Sequence, residues 1–424
     1  MKTREIKSVR ARWVLDSRSC PTVEATVSTK RFSASAIVPS GASTGTHEAK
    51  ELRDSGRAFY GKGVDRAVAN VNSDIAKRLR GTDVAAQRDI DNAMIELDGT
   101  PNKARLGSNA MLSVSLACAR LGAMEKGAPL YAYLGGLAKN KKFAMPVPFM
   151  NIINGGVHAG SYLDIQELMI APVGAKNFSE AVRMCSETYH LLKMTLSDKY
   201  GRGATNVGDE GGFAPQMKSA AEALDCITAA IRELGYGKKI KLALDAAASE
   251  LYDEQRGRYV VEGRRMSAGR LAEYYGDLCK TYQIISIEDP FAQEDWDAFA
   301  ELTRTLGKKV QVVGDDLLVT NAANVAKAAK MRAANALLLK PNQAGTLTEA
   351  LDAAELALAH NFGVMVSHRS GDSEDSFIAD LAVGLGSGQI KSGAPCRGER
   401  TAKYNRLLRI EGELKNTPYG GHRF

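Results

Sequence analysis

The chain has 424 residues, 44% hydrophobic and 25% charged, which suggests two soluble globular domains and excludes a disordered or fibrous protein. Its net charge of +7 favours anionic partners only weakly, because Lys and Arg are dispersed and the one compact basic run, KNKK at 139–142, comes with no nucleic-acid motif. No run of about 18 uncharged apolar residues occurs, so no membrane span is expected.

The opening MKTREIKSVRARW is charged and lacks the apolar centre of a signal peptide. EIKSVRARWVL (5–15), TVEATVS (22–28) and SASAIV (33–38) are short alternating segments and predict an antiparallel meander. PSGASTG (39–45) is built from small residues, so its backbone can approach a ligand closely. It lacks the GK[ST] ending of a nucleotide P-loop. Helical periodicity follows over VDRAVANVNSDIAKRLR (64–80) and SNAMLSVSLACARLGAMEK (108–126). Residues 1–134 are therefore expected to form a small N-terminal α+β domain. GGLAKNKK (135–142) is expected to be a linker, and residues 143–424 a C-terminal β/α barrel of the TIM type. Cys20, Cys118, Cys185, Cys226, Cys279 and Cys396 are scattered with no CxxC pair, as suits reduced thiols in a cytoplasm.

Three loops of the barrel region carry polar groups. GGVHAG (155–160) places His158 between glycines. DIQEL sets Gln166 beside Glu167, and adjacent strand residues face opposite sides, so a shared site needs a bend or a strand end there. NVGDEGG (206–212) holds Asp209 and Glu210 in a glycine-rich turn, where an acid is ordinarily a local cap.

Six apolar runs then end on chemically useful residues: KIKLALD (Asp245), YQIISIE (Glu288), VQVVGD (Asp315), NALLLK (Lys340), GVMVSH (His368) and GQIKSG (through Lys391). Their spacing, mostly about 23 to 28 residues with one longer interval, is that of repeated βα units. Parallel barrel strands bring their C-terminal ends to one mouth. A lone acid at a strand end usually caps a helix or faces water. Three on successive strands would repel one another, and a cation is the simplest resident; oxygen-only ligands suit Mg²⁺ better than zinc. Lys340 reads either as a snorkelling side chain or as a general base. A base requires a lowered pKa, with a metal, Arg369 and Lys391 as the available cations. Arg369 offers a planar fork for phosphate oxygens, and Ser370 adds a hydroxyl.

SIEDPF (286–291), VVGDDLLVT (312–320), ALLLKPNQAGT (336–346), VMVSHRSGDSEDSFIADL (364–381) and GQIKSGAP (388–395) closely resemble the enolase family. So do LDSRSCPTVEA (15–25), IVPSGASTGTHEA (37–49), NIINGGVHAG (151–160), DIQELMIAP (164–172) and NVGDEGGFAP (206–215), in the family's order. The resemblance covers the chain from about residue 4 to about residue 411. It implies reversible, Mg²⁺-dependent dehydration of 2-phosphoglycerate to phosphoenolpyruvate, and a barrel that opens with an irregular ββαα segment. A lysine or histidine base acting with one or two Mg²⁺ ions is the general pattern of the superfamily.

By the same resemblance, Asp245, Glu288 and Asp315 bind one Mg²⁺. Ser43, on a loop that closes over the substrate, binds a second Mg²⁺ that arrives with it. Lys340 is the base, Glu210 the general acid and Glu167 its assistant. His158, Gln166, His368, Arg369, Ser370 and Lys391 contact substrate, Lys391 on its carboxylate side. The resemblance also implies a cytoplasmic homodimer or higher even oligomer; some family members have surface or scaffold roles as well. Two readings stand beside it: another superfamily lyase acting on a different carboxylate, and an enolase-like binding protein without catalysis. Retention of the three acids together with Lys340, Ser43, His158, Arg369 and Ser370 favours the first reading. DSRSCP places Ser19 and Cys20 where the family usually has Gly and Asn, so a different φ preference is expected at that turn. GAPCRGER has Gly398 where serine is usual, and NTPYGGHRF is expected to be a flexible tail.

Overall fold

The computed structural model describes residues 4–41, 45–156, 159–160, 162–415 and 417–420. Strands β1 (Ser8–Leu15), β2 (Pro21–Ser28) and β3 (Ser33–Ile37) form the expected antiparallel meander, in the order β1-β2-β3. Helix Ser108–Lys126 packs across β2 and β3 and buries nearly every residue up to Ala123. Ala, Ser and Gly let it sit close, while Leu112, Leu116 and Leu121 contribute about 2 kcal/mol each by leaving water. The earlier helical segment runs from Asp65 to Leu79 with a π-helical stretch at Val71–Ile75. That stretch carries Asn72, whose side chain bonds both the N–H (2.8 Å) and the carbonyl (3.1 Å) of Ala11 and so covers part of the open edge of β1.

The barrel strands begin with β4 (Val147–Asn154), β5 (Glu167–Ala171) and β6 (Lys241–Asp245). After β6 comes a small antiparallel meander, β7 (Tyr252–Asp253), β8 (Arg258–Val261) and β9 (Arg264–Met266), which accounts for the one long interval between strand ends. Then follow β10 (Ile284–Glu288), β11 (Gln311–Gly314), β12 (Ala336–Leu339), β13 (Gly363–Ser367) and β14 (Gly388–Lys391). The eight close in the order β10-β11-β12-β13-β14-β4-β5-β6. Only β5 runs against its neighbours; two helices, Phe178–Tyr200 and Ala220–Glu233, separate it from β6. This is the irregular ββαα opening that the resemblance implied.

The outer helices start where the sequence supplies capping oxygens. Asn177, Ser219, Ser267, Asp295, Asn321 and Thr346 each accept a backbone N–H from the first turn that follows. The barrel interior is filled rather than open. Phe149, Met169, Val313, Leu338 and Met365 form an apolar layer, and Gln311 and Gln389 exchange two hydrogen bonds (2.9 and 3.0 Å).

Residues 135–137 complete helix Leu130–Leu137. That helix packs on helix Phe377–Leu385 of the barrel, and a Cβ on Gly135 would meet the Gly384 carbonyl at 3.1 Å. The tail expectation needs correction for residues 417–420. Met145 donates to the Pro418 carbonyl (2.8 Å), Gly420 to that of Met145 (2.9 Å) and the Tyr419 hydroxyl to that of Pro172 (2.9 Å). Ser19 adopts φ 57°, so the DSRSCP turn keeps a left-handed position despite its side chain. Asp16 holds the turn by accepting the amides of Arg18 and Cys20, both at 2.8 Å. Among the described residues no helix is long and apolar enough to cross a membrane.

Candidate active site

Three carboxylates stand in one register across three adjacent strands. Glu167 opens β5 opposite Asp245, the last residue of β6, and Asp245 is level with Glu288, the last residue of β10. The strand end that the Gln166–Glu167 pair required is thus the start of the reversed strand. All three acids are almost fully buried. Lys391 Nζ, from the end of β14, donates to Asp245 (3.0 Å) and Glu288 (2.8 and 2.9 Å) and lies 3.2 Å from Glu167. Burial, then the charge of Asp245, raises the Glu288 carboxyl well above its ordinary pKa. Burial alone would lower Lys391, but Asp245, Glu167 and Glu288 outweigh it and hold the amine well above its usual value.

Asp315 lies one residue past β11. It accepts from Lys340 Nζ (2.5 Å) and from Gln343 Nε2 (2.8 Å). Asp289, which follows Glu288, receives the amides of Asp315 (2.9 Å) and Asp316 (2.8 Å) and so folds the turn that presents Asp315. Among the described residues, the acids that bring candidate ligand atoms within 4.8 Å of one another are Asp289, Asp315 and Asp316. Asp245 and Glu288 instead meet on the Lys391 ammonium. The chemistry of these donors, buried hard carboxylate oxygens, fits Mg²⁺, but among the described residues the expected trio Asp245, Glu288 and Asp315 is not gathered as one ligand set, its charge being balanced here by the Lys340 and Lys391 ammonium groups.

The expected fall in the Lys340 pKa is not found. Burial, the largest effect, lowers it, and Arg369 and Lys391 lower it too. Asp315 and Glu288 raise it more, and the net shift is upward. Glu167 is pushed well above its ordinary value, first by burial and then by the charge of Glu210, while the Lys391 ammonium pulls it down. Glu210 is buried and accepts from Asn151 Nδ2 (3.1 Å). His368, one residue past β13, is lowered to about 4 by burial and is neutral at physiological pH. Arg369 forks onto Glu48 (2.9 and 3.2 Å) and also donates to Asn342 Oδ1 (3.2 Å). Gln166 reaches Asp245 (3.4 Å), and the Ser370 carbonyl receives the Ser17 hydroxyl (3.3 Å).

One narrow polar cavity of about 20 Å³ at the barrel mouth is lined by Gln166, Glu167, Glu210, Asp245, Asp315, Lys340, Ser367, His368, Arg369, Ser370 and Lys391. Glu288 does not line it but accepts from Lys391, which does. Ser43 and His158 lie outside the described residues. Asn151, Glu48, Asp289, Gln343 and Arg400 also shape the site and were not singled out as site residues from sequence. The first four fall within or beside the quoted motifs. Arg400 ends the quoted GAPCRGER segment, on the first turn of a helix, where a basic residue is ordinarily exposed.

The family description "Enolase, N-terminal domain" matches residues 6–134, and "Enolase, C-terminal TIM barrel domain" matches residues 142–424. The chain is 58% identical over 423 residues to a protein named enolase from Thermococcus gammatolerans, covering 99% of this chain and 98% of that one. It is 59% identical over 421 residues to a protein of the same name from Methanopyrus kandleri, and 57% identical over 423 residues to one from Pyrococcus furiosus, with the same two coverages in each case.

Proposed function

This chain belongs to the enolase family, and we propose that its cavity carries out the family's reaction with the side chains described above. That reaction is the reversible dehydration of 2-phospho-D-glycerate to phosphoenolpyruvate and water, a Mg²⁺-dependent hydro-lyase step of glycolysis and gluconeogenesis. Asp245, Glu288 and Asp315 would hold one Mg²⁺, and Ser43 a second that arrives with the substrate. Bound there, the ions offset the second negative charge that forms when a carboxylate loses its α-proton.

Lys340 takes the C2 proton on Nζ. It can do so only as a free amine, and its upward shift comes from Asp315 and Glu288, so the charge of those acids must be engaged elsewhere for the amine to become a base. Lys391 stays cationic and faces the substrate carboxylate. Glu210 delivers a proton to the departing C3 hydroxyl, and Glu167, whose carboxyl burial and the charge of Glu210 shift upward, replenishes it. Arg369 and Ser370 bind phosphate, for which substrate must displace Glu48 from the Arg369 fork. His158, Gln166 and His368 complete the contacts. The reverse reaction uses the same groups.

The observation that carries this reading is the in-register row Glu167–Asp245–Glu288 at the barrel mouth, whose first two members line one cavity with Lys340 and Arg369. It is tested by following phosphoenolpyruvate formation from 2-phosphoglycerate in the near ultraviolet. Activity should vanish with EDTA and return with Mg²⁺; a folded protein inactive in Mg²⁺ would end the reading.

The two-domain division, 1–134 and 143–424 joined by 135–142, is part of the same proposal, with Glu48 and Arg369 meeting across it. So are a cytoplasmic location, supported by six free cysteines, and a homodimer or higher even oligomer. Exposed Trp13 and Leu15 on edge strand β1 support the oligomer, and light scattering would measure its mass.

A further inference from the structure

Arg400 lies in the first turn of helix Gly398–Leu414 and is fully buried. Its Nη1 lies 2.5 Å from His368 Nδ1 and donates to the Arg369 carbonyl (2.6 Å). Its Nη2 donates to the carbonyls of Ser370 (2.6 Å) and Asp209 (3.0 Å). One guanidinium therefore ties the turn before Glu210 to the whole His368–Ser370 segment. Gly393 makes room for it: at φ 74°, a Cβ there would stand 2.8 Å from Arg400 Cδ and 2.6 Å from the Glu210 carbonyl.

We infer that Arg400 is a positioning residue that fixes His368 as the neutral Nε2–H tautomer, leaving it able to donate into the cavity and unable to accept a proton there. A guanidinium has N–H donors and no acceptor, so the ring nitrogen facing it must present a lone pair. A neutral ring whose Nδ1 accepts carries its hydrogen on Nε2. Nε2 lies 3.5 Å from Glu210 Oε2, on the cavity side. Burial, which pulls the His368 pKa to about 4, keeps the ring from taking a second proton near neutral pH. In a superfamily whose base is a lysine or a histidine, this contact excludes His368 as base and leaves Lys340. That last consequence rests on the functional reading above; the tautomer itself does not.

The test is two-bond ¹H–¹⁵N correlation on the full-length protein labelled at histidine. The chain has six histidines, so His368 is assigned by its loss in His368→Asn. The expected spectrum shows one protonated ring nitrogen, Nε2, constant between about pH 5.5 and 8. An Nδ1–H ring, or an imidazolium at neutral pH, overturns the inference. Arg400→Met removes every donor toward Nδ1. If it folds, the Nδ1–H form should appear and kcat with 2-phosphoglycerate should fall about tenfold or more; an unchanged tautomer in the folded variant overturns the inference. If that variant does not fold, the wild-type spectrum still decides. A wild-type protein with the expected tautomer and no dehydratase activity would leave the tautomer standing and remove the functional reading.

Discussion

Glu167 and Asp245 stand level at the barrel mouth because the strands that carry them run in opposite directions, one beginning and the other ending at that point. Lys391 reaches both, at 3.2 and 3.0 Å, and Glu288 as well. Replacing Lys391 with Met should therefore strand three buried carboxylates. A loss of about 3 kcal/mol is expected in metal-free protein, since removing one partner leaves uncompensated buried charge. Added Mg²⁺ should recover part of it, because a ligand that binds only the folded state stabilises it. Denaturant unfolding with and without Mg²⁺ measures both; a loss below about 1 kcal/mol would mean that the acids do not depend on this amine.

The two proton transfers can be separated. Lys340→Ala should lose both turnover and exchange of the C2 proton with deuterated solvent. Glu210→Gln should keep the exchange and lose dehydration, because removing the C2 proton needs the amine, whereas C–O cleavage needs an available proton. Mass spectrometry of recovered substrate reads the exchange. Exchange that persists without Lys340 and disappears without Glu210 would reverse the assignment.

Arg369→Lys should raise the KM for 2-phosphoglycerate about 10- to 100-fold, since a point charge cannot reproduce a forked, charge-assisted pair of donors. Steady-state saturation curves measure this. An unchanged KM would mean that phosphate is bound elsewhere.

Acid stability should carry a signature of His368. Its folded-state pKa is held at about 4 by burial, below the unfolded value of 6.5. Between those values the unfolded chain binds more protons, so this share of stability is full above pH 6.5 and is lost as pH falls toward 4. The gap corresponds to roughly 3 kcal/mol. Stability curves of His368→Asn should be flatter than wild type by that amount over this window; parallel curves would contradict it.

Ser19 occupies the left-handed region at φ 57°. Ser19→Gly should relieve that strain and stabilise the protein by about 1 kcal/mol, somewhat less if the added freedom of the unfolded glycine is felt. Thermal unfolding under fixed Mg²⁺ measures it. A lower midpoint for the glycine variant would show that the serine side chain compensates for its backbone.

Much of the site was legible along the chain because a barrel converts sequence position into spatial position. Apolar runs ending at Asp245, Glu288, Asp315, Lys340, His368 and Lys391 needed only parallel strands to meet at one mouth. Helix Ser108–Lys126 was legible for a similar local reason, a long run of good helix formers closed by Gly127. Other features depend on neighbours distant in sequence. Glu167 joins the row only through the reversal of β5. The upward shift of the Lys340 amine comes from its contact with Asp315, against burial and the nearby cations that lower it. Tyr419 is held by a carbonyl 247 residues away, and Arg400 looks like any basic residue near a helix start until the fold closes over it. Strand periodicity and direction are local properties of the chain, and they suffice to say which chemical groups reach the mouth. Which of those groups pair, and which way their proton affinities shift, emerges only in the folded molecule, because burial and Coulomb interactions act through space between residues that the chain keeps far apart.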